Sequence, residues 1–164
     1  MKTLYMVRHA KSSWKHDVID HQRPLKSRGR NDAKLVSKHL ENLIQTPQQI
    51  VSSDATRAFT TAQFFKEAFA IADKDFIVTN DLYDFSGRDV LKVIKSLDPN
   101  LDCIMIVGHN HAFTSIVNML GNEYIENVPT CGFVELEFNE YEWNTIATGR
   151  TVKMVFPRHL KDKD

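Results

Sequence analysis

Hydrophobic positions change period along this chain, and the changes predict its elements. Thr3 to Val7 is a short apolar run of strand length. From Arg30 to Ile44, by contrast, Ala33, Val36, Leu40, Leu43 and Ile44 recur at the spacing of one helical face. A polar loop running through Arg28-Gly29 separates the two, and Pro47 marks the boundary after the helix. Gln49 to Ser52 predicts a short second strand. Asp54 is then placed to cap a helix from about Ala55 to Ala70, with Ala58, Ala62, Phe65 and Phe69 turned inward. A third strand is expected at Phe76 to Thr79, and the Ser86-Gly87 turn leads into a helix carrying Val90, Val93, Ile94 and Leu97 that Pro99 ends.

The run CIMIV, Cys103 to Val107, is the most apolar of all and predicts the centre of a partly parallel sheet. A helix from about His111 to Leu120, stopped by Gly121, follows it. GFVELEF and TVKMVF alternate with period two and predict a terminal antiparallel pair, after which the tail RHLKDKD is expected to fray. Short β-branched runs alternating with amphipathic stretches predict an α/β fold: a three-layer α/β/α sandwich around a mostly parallel central sheet, one domain over residues 1–164.

Composition narrows the choice of partners. The chain has 21 basic and 21 acidic side chains, so net charge proposes neither nucleic acid nor an anionic membrane surface, and any positive field must be local. The N-terminal apolar run is broken by Arg8 and His9, unlike a signal sequence or membrane span. With that start, Cys103 and Cys131 are expected to be reduced thiols of a cytoplasmic protein, with no disulfide and no zinc site. Monomer and dimer are both compatible with the pattern.

The chemistry gathers just past the strand ends, at Arg8-His9, Asp54 to Arg57 and Gly108-His109, the edge where open α/β sheets bind ligands. Two arginines and two histidines arriving there from three strands would make a positive pocket suited to a phosphoryl group. Guanidinium forks bind its oxygens bidentately, and a neutral imidazole can attack phosphorus. Alone, His9 or His109 is an ordinary histidine at a strand end. Arg57 is more telling, because it puts a cation in the first turn of a helix, where only an intervening anion makes it favourable.

VRHAKSSW, RPLKSRG, SSDATRAFTTA and VGHN, in that order, resemble the histidine phosphatase superfamily across most of the chain. The alanine after the histidine, with DHQRPLKSRG and VPTCGFVELEF, is similar to its small SixA-type phosphohistidine phosphatase branch. The resemblance implies a phosphoglycerate mutase-like fold and a metal-independent phosphatase with no cofactor. It implies His9 as the nucleophile, Arg8 and Arg57 as phosphate clamps, and His109 as the second imidazole. Ser12 falls where the family often places a phosphate-binding serine, and Arg23 is a candidate substrate contact at the rim, as are Arg28 and Arg30.

By the same comparison Asp84, in DLYDFSG, is the candidate general acid, with Asp81 behind it. Lys15 and His111 depart from the family pattern. His16, His21, His39, His111 and His159 have no metal-binding spacing, and Phe59, Phe64, Phe65 and Phe69 are expected in helix core. The substrate implied is a phosphohistidine protein or a small phosphoester. A mutase, which needs a lid, and a non-catalytic phosphate-binding module are the competing functions.

Overall fold

A computed structural model describes residues 1–161. Its six-stranded sheet comprises β1 (Lys2–Arg8), β2 (Gln49–Ser53), β3 (Phe76–Thr79), β4 (Cys103–Gly108), β5 (Phe133–Phe138) and β6 (Arg150–Val155), in the order β3-β2-β4-β1-β5-β6. The first four of these are mutually parallel, whereas β5 runs antiparallel to both β1 and β6. The expected mostly parallel sheet with a terminal antiparallel pair is the one observed.

The period of two explains the layers. Tyr5, Val7, Met105 and Val107 face one side, where α1 (Ser27–Glu41) supplies Ala33, Val36 and Leu40 and α2 (Thr56–Ala68) supplies Ala58, Ala62 and Phe65. Leu4, Met6, Ile104 and Ile106 face the other, where α3 (Arg88–Lys95) brings Val90 and Ile94 and α4 (Ala112–Leu120) brings Phe113, Ile116 and Val117. Every residue of β4 is buried, as its unbroken apolar run predicts for an interior parallel strand.

Four expectations need correction. The first helix starts at Ser27 and ends at Glu41, because the chain leaves the helix at Asn42 and Leu43 is exposed. Gly29 therefore lies in its first turn, where a Cβ would collide with the Lys11 carbonyl; its absence lets α1 press against the loop after β1. Asp54 does not cap α2: Ala55 is the N-cap and its amide donates to Ser53 Oγ at 3.2 Å. The carboxylate of Asp54 instead accepts from His21 Nε2 and Asn80, which draws it away from the helix. Finally, the start of the tail is ordered as the short α5 (Pro157–Leu160), with Leu160 against the core; residues 162–164 of the tail lie outside the described residues. In the Phe group, Phe65 and Phe69 are buried as expected, while Phe59 and Phe64 are half-buried.

Candidate functional site

Sheet register places the histidines. Arg8 pairs with Gly108 across β1 and β4, so His9 and His109 leave neighbouring strands together, their ring centroids 5.3 Å apart. The turn holding His9 is pinned on every side. Its amide donates to the Gly108 carbonyl, the Cys131 amide donates to its carbonyl, and the Ala10 amide donates to Thr61 Oγ1 on α2. Arg57, in the first turn of α2, reaches from β2's side to the same place, with Nε donating toward His9 Nε2 at 3.4 Å.

The His9 ring has an assigned orientation. Nδ1 lies 2.7 Å from the Ala10 carbonyl, which can only accept, so Nδ1 carries the hydrogen. Burial pushes the His9 pKa well below the usual histidine value, leaving the ring neutral and Nε2 an unprotonated lone pair. His109 is fully buried and pushed down to about 3, chiefly by burial and then by the Arg57 charge. Its Nε2 meets Ser53 Oγ at 2.8 Å, and its Nδ1 meets nothing.

Among the described residues only two buried side-chain polar atoms lack a partner, and both are here: His109 Nδ1 and Arg8 Nε. Each such orphan costs roughly 1–3 kcal/mol and calls for an explanation. An unspent guanidinium N–H and an open imidazole nitrogen beside a second, neutral imidazole suit a site for an anion. Arg8 is held by Nη1 donating to the Val128 carbonyl at 2.9 Å, which leaves Nε unspent.

A surface cavity of about 310 Å³ opens over these groups, lined by Arg8, His9, Lys11, Ser12, Asp20, Arg23 and Arg57, with Trp14, Phe85, Asn110 and Thr130 around them. His109 is fully buried and does not line the cavity, and the Phe85 and Tyr83 rings each lie 5.3 Å from its own. Ser12 and Arg23 join the site: Arg23 Nη1 donates to Ser12 Oγ at 2.8 Å, and its guanidinium lies 3.5 Å from the exposed Trp14 ring. Arg28 and Arg30 do not; both are exposed on α1, and Arg28 faces Asp32. Lys15 and His111 are exposed as well.

The candidate acids fare differently. Asp84 is buried, and its carboxylate accepts from the amides of Ser86, Gly87, Asp89 and Val90 and from Ser86 Oγ. Burial raises its pKa, but those amide donors outweigh burial and hold it below the usual value. Asp84 thus anchors the N-terminus of α3 and does not line the cavity, so it has neither the proton nor the position of a general acid. Asp81 is exposed and lines a separate depression with Asp89 and Lys92.

Sequence reasoning missed Asp20, Tyr83 and Ser53. Asp20 sits on a 3-10 turn, Asp20–Gln22, and its carboxylate accepts from Tyr83 Oη at 2.6 Å, Arg57 Nη2 at 2.9 Å and Arg23 Nε at 3.1 Å. The opposite charges of Asp20 and Arg23, three residues apart, were the available signal. No three His, Cys, Asp or Glu side chains gather into a metal-holding group among the described residues. Nor is any helix among them long and apolar enough to cross a membrane.

Comparison with known proteins adds identity to this geometry. Residues 4–86 match the family described as histidine phosphatase superfamily (branch 1). An uncharacterized chloroplastic protein of Arabidopsis thaliana is 32% identical over 153 residues, covering 87% of this chain and 69% of that protein. In structure, the chain is similar to the protein histidine phosphatase SixA complexed with tungstate, with a TM-score of 0.81 and 17% identity over 97% of this chain and 99% of that one. It is also similar to a mycobacterial glucosyl-3-phosphoglycerate phosphatase complexed with VO3, with a TM-score of 0.67 and 15% identity over 93% and 97% of the two chains.

Proposed function

The chain belongs to the histidine phosphatase superfamily, and from that premise we propose that it hydrolyses phosphoryl groups through a phosphohistidine intermediate on His9. The observation that carries this reading is the pair of orphaned nitrogens, Arg8 Nε and His109 Nδ1, near a neutral His9 whose Nε2 is free of protons. A phosphoryl group seated there gives both orphans an oxygen to bond.

The steps follow from the tautomers. His9 Nδ1–H is tied to Ala10, so Nε2 attacks phosphorus, and the same carbonyl steadies the ring as it gains charge. Arg57 and Arg8 hold the equatorial oxygens. In this reading the Ser53 hydroxyl, which accepts from the Ala55 amide, donates to His109 Nε2, and the His109 hydrogen then stands on Nδ1 as a further donor to the developing charge. Water then displaces the phosphoryl group from His9. No residue in this sequence of steps needs a metal.

The substrate we propose is protein phosphohistidine. The cavity opens directly at the surface, and Trp14, 77% exposed, stands at its mouth with Phe85, which suits a phosphoryl group presented on a protein surface. An imidazole leaving group, with a pKa of roughly 6.5, also asks less of the enzyme than an alkoxide does. The similarity in fold to SixA accords with this substrate, and that to the glucosyl-3-phosphoglycerate phosphatase keeps a small phosphoester as the second reading.

One experiment separates these. A panel of phosphohistidine peptide, phosphoserine and phosphotyrosine peptides, sugar phosphates and an aryl phosphate is assayed with EDTA present, and acid-labile phosphate on His9 is trapped during the burst. The expected result is fastest turnover of phosphohistidine, undiminished by EDTA, with label on His9 and none after His9→Ala. Loss of activity in EDTA would remove the metal-independent mechanism. Binding without turnover or label would leave a binding module instead.

A further inference from the structure

With Asp84 consumed by α3 and Asp81 on another face, a phosphoester substrate still needs a source for its leaving group's proton. Among the described residues, the one carboxylate lining the cavity is Asp20. Its side chain is 43% exposed, while Arg57, on which it rests, is 2% exposed. Arg57 is shared three ways: Nη2 and Nη1 donate to the carboxylate and the carbonyl of Asp20 at 2.9 and 2.7 Å, and Nε turns to His9 Nε2. Nucleophile and carboxylate therefore flank a single guanidinium, and a phosphoryl group taking the carboxylate's place on that guanidinium would sit beside both.

We propose that Asp20 is the catalytic acid and base of this site, donating a proton to the leaving group and then taking one from the attacking water. The assignment rests on His9 being the nucleophile. In the free protein burial pushes the Asp20 carboxyl up, but hydrogen bonds from Tyr83, Arg57 and Arg23 more than offset this and hold it well below the usual range. It is then an anion standing where a phosphoryl oxygen will bind. Two anions sharing one cationic site cannot both keep their charge. A phosphomonoester monoanion, whose second pKa is about 6, hands its proton to Asp20 as it displaces the carboxylate from Arg57. Tyr83 and Arg23 keep the carboxyl beside the cavity.

The step balances. The Nε2 lone pair forms the bond to phosphorus, the bond from phosphorus to the leaving oxygen breaks with its electron pair going to that oxygen, and Asp20 supplies the proton. In the second half, Asp20 takes a proton from water as its oxygen bonds phosphorus, and the N–P electrons return to His9.

The test compares Asp20→Asn with the native protein across alkyl, phenyl and 4-nitrophenyl phosphates, substrates of falling leaving-group basicity. We expect kcat/KM to fall by about 10²- to 10⁴-fold for the alkyl phosphate and by less than about tenfold for 4-nitrophenyl phosphate, with Asp20→Glu recovering part of the alkyl activity. Equal losses across the series would overturn the proposal, since a residue that only positions Arg57 serves every substrate alike. Acid-labile phosphate trapped on His9 from 4-nitrophenyl phosphate keeps the two levels apart. Its presence with a flat series overturns Asp20 alone, whereas its absence in the native protein overturns the nucleophile and the acid together.

Discussion

A carbonyl that can only accept decides what His9 is. Because Ala10 takes the Nδ1 hydrogen and burial excludes a second proton, Nε2 keeps its lone pair at pH values where an exposed imidazole loses it. His109, pushed down to about 3, is neutral under the same conditions. A lowered histidine pKa means that protonation, and with it loss of the lone pair, sets in only at more acid pH. The Cε1 proton resonances of His9 and His109 should therefore stay fixed as pH falls from about 7.5 to 5, without the midpoint near 6.5 of a free imidazole. A midpoint near 6.5 for either ring would contradict the neutral site.

Asp84 shows how an element, rather than a reaction, can claim a carboxylate. Its stretch follows β3 where the family resemblance predicts an acid, but four amides of the turn into α3 converge on its oxygens. Replacing it with Asn removes an anion from a helix N-terminus. We expect Asp84→Asn to lower stability by about 1–2 kcal/mol while leaving kcat per folded molecule unchanged on alkyl and phosphohistidine substrates alike, read by thermal unfolding beside the assay. A selective loss on the alkyl phosphate would return the acid role to Asp84. The loop before α1 teaches the converse lesson. Between Trp14 and Arg23 the residues have no period to read, and Asp20 acquires its partners only when the amide of Ser13 pairs with the Pro24 carbonyl and that of Lys26 with the Lys11 carbonyl, closing the loop over α2.

At the scale of the whole molecule, three adjacent parallel strands, β2, β4 and β1, deliver Arg57, His109 and Arg8-His9 to one edge of a protein with no net charge. A local positive site of this kind should bind inorganic phosphate or vanadate in the folded state only. At 100 times its Kd the ligand should stabilise the fold by about 2.7 kcal/mol, raising the melting temperature by roughly 5–10 °C. Arg57→Ala should abolish most of that rise. An unchanged melting temperature in the native protein at high phosphate would mean that the orphaned donors do not form an anion site.

The order of elements, the buried face of each and the four motif residues at the strand ends were all legible in the sequence, because strand and helix periods are local properties and the motifs adjoin strand ends. Asp54 as a cap, Asp84 as an acid and the bounds of α1 were not, because each depends on which donors or backbone atoms arrive from elsewhere: His21 and Asn80 at Asp54, the α3 amides at Asp84, Lys11 against Gly29. The same holds for Asp20. Sequence determined that two histidines and two arginines would meet at a sheet edge; tertiary structure alone decided which carboxylate stands among them, since hydrogen bonds to a loop are set by what packs beneath it.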